Sequence, residues 1–191
     1  MNRHFAAAAC ALALVLPAQA VEVPPLGDDG LHKPTWLRET FKDLREDLAE
    51  ANAEGRRLLL IVEQRGCIYC TKMHEEVFVD PEIDRLIREN YFVVQMNLFG
   101  GVEVTDFDGE TLREKDMAAK WGVLFTPTLL FLPEQVAEGQ TAAAAAVANM
   151  PGAFGKQTTA ALLTWVKDHG YESGEHFQKY LAERVTGGAS N

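Results

Sequence analysis

The chain has 191 residues, 47% of them hydrophobic, with 18 Lys+Arg against 28 Asp+Glu and a formal net charge of −10. That length and apolar content suffice for one domain with its own core. The acidic balance argues against nucleic acid and anionic membrane as partners, because like charge repels both.

Residues 1–20 read as a signal peptide. Arg3 and His4 form a short basic start, and Phe5 through Leu16 is an apolar run too short to span a bilayer comfortably. Ala18-Gln19-Ala20 closes it with an Ala-x-Ala pattern, which places cleavage after Ala20. Cys10 lies in mid-run with no lipobox leucine before it and leaves with the segment. The mature chain then keeps only Cys67 and Cys70 and is expected in an oxidising, periplasmic compartment. Residues 21–33, rich in Pro, Gly and Asp, read as an extended lead-in. Residues 34–185 read as one domain, and residues 186–191 as a disordered tail.

Within the domain, Pro34 is expected to open a helix. Leu37, Phe41, Leu44 and Leu48 recur at i, i+4, i+7 and i+11 as one apolar stripe, and Gly55 ends it. Residues 57–63 carry Leu58 to Val62, the pattern of a buried strand. Cys67-Ile68-Tyr69-Cys70 follows, and Thr71 to Phe78 reads as helix. Asp80-Pro81 caps the next helix, with Ile83, Leu86 and Ile87 inward. Residues 91–98 suit a central strand. Gly100-Gly101 and Asp106-Phe107-Asp108-Gly109 mark turns around a small hairpin. Leu112 to Lys120 reads as helix and Thr128 to Leu132 as a short strand. Ala142 to Ala146 has high helix propensity, yet its place between a strand and Pro151-Gly152 favours a hairpin partner strand. Gln157 to His169 is a helix with Leu162, Leu163 and Val166 inward, and residues 173–184 form a short extra helix. The alternation predicts a mixed α/β sheet covered on both faces.

Two cysteines separated by two residues suit reversible two-electron chemistry, and also one half of a zinc site. The first stands at a strand-to-helix junction, where unpaired N–H groups and the helix dipole favour a thiolate. A permanent structural disulfide is the weaker reading, since so small a ring constrains little of the unfolded chain. His74, four residues after Cys70, reads as a proton donor or metal ligand, or as a surface histidine that tunes the helix field; the surface reading is preferred. Zinc on Cys67, Cys70 and His74 lacks a fourth ligand, so no metal is assigned. Trp121 reads as core, and Trp36 as either core or partner-facing. Pro127 directly precedes a buried strand, which a cis Thr126–Pro127 bond would explain.

The segment Trp121-Gly122-Val123, three residues, Pro127-Thr128-Leu129-Leu130-Phe131, together with the Cys-x-x-Cys, resembles the thioredoxin superfamily over roughly residues 35–170. Gly66-Cys67-Ile68-Tyr69-Cys70 with His74-Glu75-Glu76, Met150-Pro151-Gly152 and Phe177-Gln178-Lys179-Tyr180-Leu181 is similar to exported thioredoxins of sulfur-oxidation (Sox) operons. The resemblance implies a thioredoxin-like fold, a central mixed sheet flanked by helices with helical extensions at both ends. It implies Cys67 as nucleophile and Cys70 as resolving thiol. A cis Pro127 would set the backbone of Thr126 beside the sulfurs, where an extended substrate segment pairs; Ile68 and Tyr69 would complete the substrate-binding rim.

Three positions depart from common thioredoxins. Gly66 stands for the tryptophan before the first cysteine, and Ile68-Tyr69 for Gly-Pro. The buried acid falls at Ile61. Glu63 is the nearest substitute, on the same face if strand alternation holds, which makes Glu63 and His74 candidate modulators. The expected activity is an exported thiol–disulfide oxidoreductase, a monomer without cofactor that reduces protein disulfides. Its electrons would come from a membrane donor of the CcdA/DsbD type. The alternatives are an oxidase or isomerase of the same fold, and a metal-binding module on Cys67, Cys70 and His74.

Overall fold

The computed structural model describes residues 21–187. Residues 1–20, read above as a signal peptide, and residues 188–191, the rest of the expected tail, lie outside the described residues.

Alternation along the strands builds the molecule. β1 (Arg57–Glu63) pairs in parallel with β2 (Tyr91–Asn97) and antiparallel with β5 (Thr128–Phe131). β5 pairs antiparallel with β6 (Ala148–Pro151), so the sheet runs β2-β1-β5-β6. Odd and even residues of each strand face opposite sides. Leu59, Ile61, Tyr91, Val93, Leu129 and Phe131 belong to one core. That core packs against the helix that follows Cys67, α3 (Pro81–Asn90) and α6 (Lys156–Lys167). Leu58, Leu60, Val62, Phe92, Val94 and Leu130 face the other core, under α1 (Leu44–Ala53) and α4 (Glu114–Lys120). The result is a mixed central sheet between two helical layers, as the alternation predicts. A two-stranded ribbon, β3 (Glu103–Thr105) with β4 (Thr111–Arg113), forms the small hairpin. After α6 the chain makes a 3₁₀ turn (Gly170–Glu172) and ends in α7 (Phe177–Gly187), a helical extension against Trp165. No helix among the described residues is long and apolar enough to cross a membrane.

Several boundaries differ from expectation for identifiable reasons. The first helix begins at Leu44, not Pro34. Leu37 bridges to Val93, and the Arg38 N–H donates to Val93 O, so this stretch extends the sheet edge instead of coiling. Lys42 then takes a left-handed φ of 58°, which no helix continues through, and Asp43 caps the new start. Phe41, expected on the apolar stripe, is 96% exposed. Residues 111–113 pair as β4, so the helix read from Leu112 starts at Glu114. Ala142–Ala145 forms a short helix, α5, capped by Thr141, and the hairpin partner of β5 lies later, at Ala148–Pro151. Local propensity thus prevailed over position in the chain. Thr186 and Gly187, read as tail, complete α7. In the lead-in, Leu26 bridges to His32, and Leu31 and His32 are buried.

Candidate functional site

β1 delivers the chain to the end of the sheet, where Gln64-Arg65-Gly66 turns it into α2 (Ile68–Lys72), which continues as a π-helical turn over Met73–Val77. Gly66 sits at φ +71°, a backbone state that side chains rarely adopt, and the space where a Cβ would stand is open. The Arg65 guanidinium donates to the carbonyls of Asp28 (2.6 Å) and Asp29 (3.2 Å), which fixes the turn to the lead-in.

Cys67 is the N-cap of α2. Its sulfur accepts the Cys70 N–H at 3.0 Å, the bond a capping side chain makes to a free helix donor. A disulfide joins Cys67 to Cys70. Neither cysteine protrudes: Cys67 is 7% exposed and Cys70 4%, so the sulfur reached from outside forms the floor of a cleft. The pairing of Val62 with Thr128 brings the start of β5 alongside. Thr126 Oγ1 donates to Cys67 Sγ at 3.3 Å, and Thr126 O lies 3.4 Å from the same sulfur. The Thr126–Pro127 peptide bond is cis. Gly152 N–H donates to Pro127 O, and Thr128 Oγ1 to Phe125 O, both at 2.7 Å, so the loop is held on two sides. Cys67, Thr126 and Pro127 are therefore together. Two hydrogen-bond donors on one sulfur favour its thiolate once the disulfide opens.

Four large apolar side chains stand around the cleft. Ile68 is 73% and Tyr69 58% exposed at the start of α2, Leu124 80% and Phe125 63% in the loop before Thr126. The turn after β6, at Pro151 to Ala153, makes the third wall. Ile68 and Tyr69 are where the sequence places them. Leu124 and Phe125 carry no sequence signal beyond being apolar residues in a loop, and the reading passed over them.

Beneath α2, the expectation for His74 is overturned. It is fully buried, not a surface histidine. Strand alternation holds, so Glu63 faces the same side as Ile61 and meets His74 on the π-helical turn that continues α2. His74 Nε2 lies 2.9 Å from Glu63 Oε1. The other carboxylate oxygen, Oε2, accepts from Gln95 Nε2 at 2.7 Å. Gln95 Oε1 in turn accepts from Lys33 Nζ at 2.7 Å, and its Nε2 also donates to His32 O. The His74 ring packs 4.6 Å from His32 and edge-on to Phe78, with Trp36, itself buried, stacked at 6.3 Å. Burial of an acid and an imidazole is tolerable because each finds the other and the remaining oxygen is bonded. Gln95 had a legible signal: it is a polar residue that shares parity with Tyr91 and Val93 in the buried part of β2. His74 is turned to Glu63 and not to the cysteines, and among the described residues no three His, Cys, Asp or Glu groups gather to hold a metal.

No curated protein sequence matches this chain. Among solved structures it is similar to a thioredoxin-fold protein from Helicobacter pylori, at 16% identity and a TM-score of 0.54, over 69% of this chain and 86% of that one. It is also similar to a thioredoxin from Thermus thermophilus, at 23% identity and a TM-score of 0.52, over 70% of this chain and 90% of the other. At such identities these likenesses speak for the fold. The model of the thioredoxin-like domain matches residues 44–167, which contain the sheet, both cysteines and the cis proline. With that match added to the geometry, the chain belongs to the thioredoxin-like domain family.

Proposed function

We propose that the protein is an exported thiol–disulfide oxidoreductase that reduces protein disulfides in the periplasm. The observation that carries the thiol–disulfide chemistry is the Cys67 sulfur, set at a helix N-cap and hydrogen-bonded by Cys70 N–H at the floor of an open cleft; the reducing direction rests on the resemblance set out above. The Cys67 thiolate attacks a substrate disulfide and forms a mixed disulfide, releasing the first substrate thiol. Cys70 attacks Cys67 and releases the second, leaving Cys67–Cys70 oxidised. The backbone of Thr126 pairs with the extended substrate segment, and Ile68 and Tyr69 contact it. Glu63, and His74 on the turn that continues α2, modulate the reaction. No cofactor or metal is assigned a part. An oxidising compartment does not return the electrons, so a membrane donor of the CcdA/DsbD type supplies them. The signal peptide and kinship with Sox-operon thioredoxins belong to the same proposal, supported by the sequence features set out above, and the protein is proposed to act as a monomer.

The direct test is Cys70→Ser. It is expected to trap mixed disulfides through Cys67 in the exported compartment; no trapped partner, with no insulin reduction by the unaltered protein, overturns the reading. One observation favours a second direction of flow. The Thr126 hydroxyl adds a donor to the Cys67 sulfur, which stabilises the reduced state and pulls toward an oxidase or isomerase. The reduction potential separates the two: near −270 mV for a reductase, near −120 mV for an oxidant.

A further inference from the structure

We infer that the cleft selects disulfides carried by uncharged, apolar segments, with Leu124 and Phe125 as the residues that set this preference. The inference rests on the oxidoreductase reading and names its substrate class. Of this chain's residues 24% are charged, yet among the described residues the cleft around Cys67 is lined without a single Asp, Glu, Lys or Arg. The neighbouring charges are directed elsewhere. Arg65, next to Gly66, donates to two carbonyls of the lead-in, and Lys72 stands 3.9 Å from Glu76. Ile68, Tyr69, Leu124 and Phe125, which line the cleft together with Cys67, are all large, apolar and more than half exposed. An exposed apolar cluster on an acidic surface marks a place that a partner covers.

The chemistry of the occupant follows. A substrate chain that delivers its sulfur to Cys67 must lay the side chains beside that sulfur against this apolar lining. A charged side chain there loses water and meets no counter-charge. An apolar one is buried together with Leu124 and Phe125. The open space at Gly66 leaves room for a bulky residue. Burial of one such side chain changes transition-state affinity by a factor on the order of 10 or more. The electron count is that of the proposed reaction: the substrate S–S bond breaks, the Cys67–Cys70 bond forms with two electrons transferred to the substrate, and the two protons that the Cys67 and Cys70 thiols give up to solvent are matched by the two that the departing substrate thiolates take up.

The test uses pre-reduced full-length mature protein, freed of reductant, in single turnover with two oxidised peptides. They share length and disulfide, but one carries Leu and Phe beside each cysteine and the other Glu and Lys. The apolar peptide is expected to react at least about tenfold faster, with a ratio that changes little between low and high salt. In Leu124→Lys and Phe125→Ser the ratio is read within each variant, so overall activity does not enter. It is expected to shrink in both, and in Leu124→Lys a third peptide flanked only by Glu is expected to gain at low salt. Equal rates for the two peptides, or a ratio untouched by both substitutions, overturns the inference. Bis(2-hydroxyethyl) disulfide with the unaltered protein separates the two levels. If it exchanges while the peptide ratio is flat, only the substrate class is wrong; if it fails to exchange, the oxidoreductase reading falls and this inference with it.

Discussion

A carboxylate and an imidazole that touch at 2.9 Å, with neither side chain more than 1% exposed, have only each other and their immediate neighbours to replace water. Glu63 is the hub of that set, because one oxygen serves His74 and the other Gln95. Removing one member of such a pair leaves the other buried and unpartnered, at a cost of about 3 kcal/mol or more. Glu63→Ala is therefore expected to lower the urea midpoint by a corresponding amount, and Glu63→Gln by less, since the amide oxygen still accepts. A loss below about 1 kcal/mol in Glu63→Ala would show that the contact does not hold the helix base. Single residues were also where the sequence was hardest to read. Glu63 could be named because it stood two residues from the expected acid on the same strand face. His74 was misplaced because helical spacing relates it to Cys70 but does not reveal that the lead-in, through His32 and Trp36, closes over it. That covering comes from residues some forty positions earlier, which no local pattern reports.

The elements that the sequence located well are those whose pattern and tertiary setting agree. β1 matches residues 57–63, and the Asp80-Pro81 start of α3 is where the cap chemistry placed it. α1 shows the opposite case. The Leu44 and Leu48 half of its stripe is buried as expected, but the Leu37 and Phe41 half lies outside the helix, because Leu37 pairs at the sheet edge and Lys42 is left-handed. The helix buries Leu44, Asp47, Leu48 and Ala51, an apolar stripe with one acid in it. Burial raises the Asp47 carboxyl from 3.8 to about 6; the Thr40 hydroxyl bond opposes the shift and the charges of Asp43, Glu50 and Glu46 reinforce it. A folded pKa above the unfolded one means that the native state holds the extra proton between these values. The stability this contributes is fully present below about pH 4 and lost as pH rises through about 6. Asp47→Asn keeps an oxygen for Thr40 and carries no charge. It is expected to be more stable than the parent at pH 7, by about 1–3 kcal/mol, and to lose that advantage near pH 4. Thermal unfolding at the two pH values checks this; an advantage of equal size at both would assign the gain to something other than the buried charge.

At the scale of the whole molecule, the redox pair and the folded state are tied by one thermodynamic cycle. The disulfide closes a ring of four residues at the end of β1, so it restricts the unfolded chain very little. Any difference in stability between oxidised and reduced protein therefore reports what the folded site does for each form. Cys70 N–H and Thr126 Oγ1 favour the reduced, ionised sulfur; the two cores on either side of the sheet are indifferent to it. By the cycle, each 1.4 kcal/mol by which folding favours the reduced form makes the pair about 30 mV more oxidising than the same cysteines in the unfolded chain. The gap between a reductase near −270 mV and an oxidant near −120 mV is then about 7 kcal/mol, far outside the error of a denaturant titration. Equilibrium unfolding of the two forms at one pH thus gives the direction of electron flow without any partner protein. For the proposed reductase, the oxidised form is expected to unfold at equal or higher urea than the reduced one. A reduced form ahead by several kcal/mol would mean that the Thr126 hydroxyl dominates the site, and the protein would then work as an acceptor of electrons.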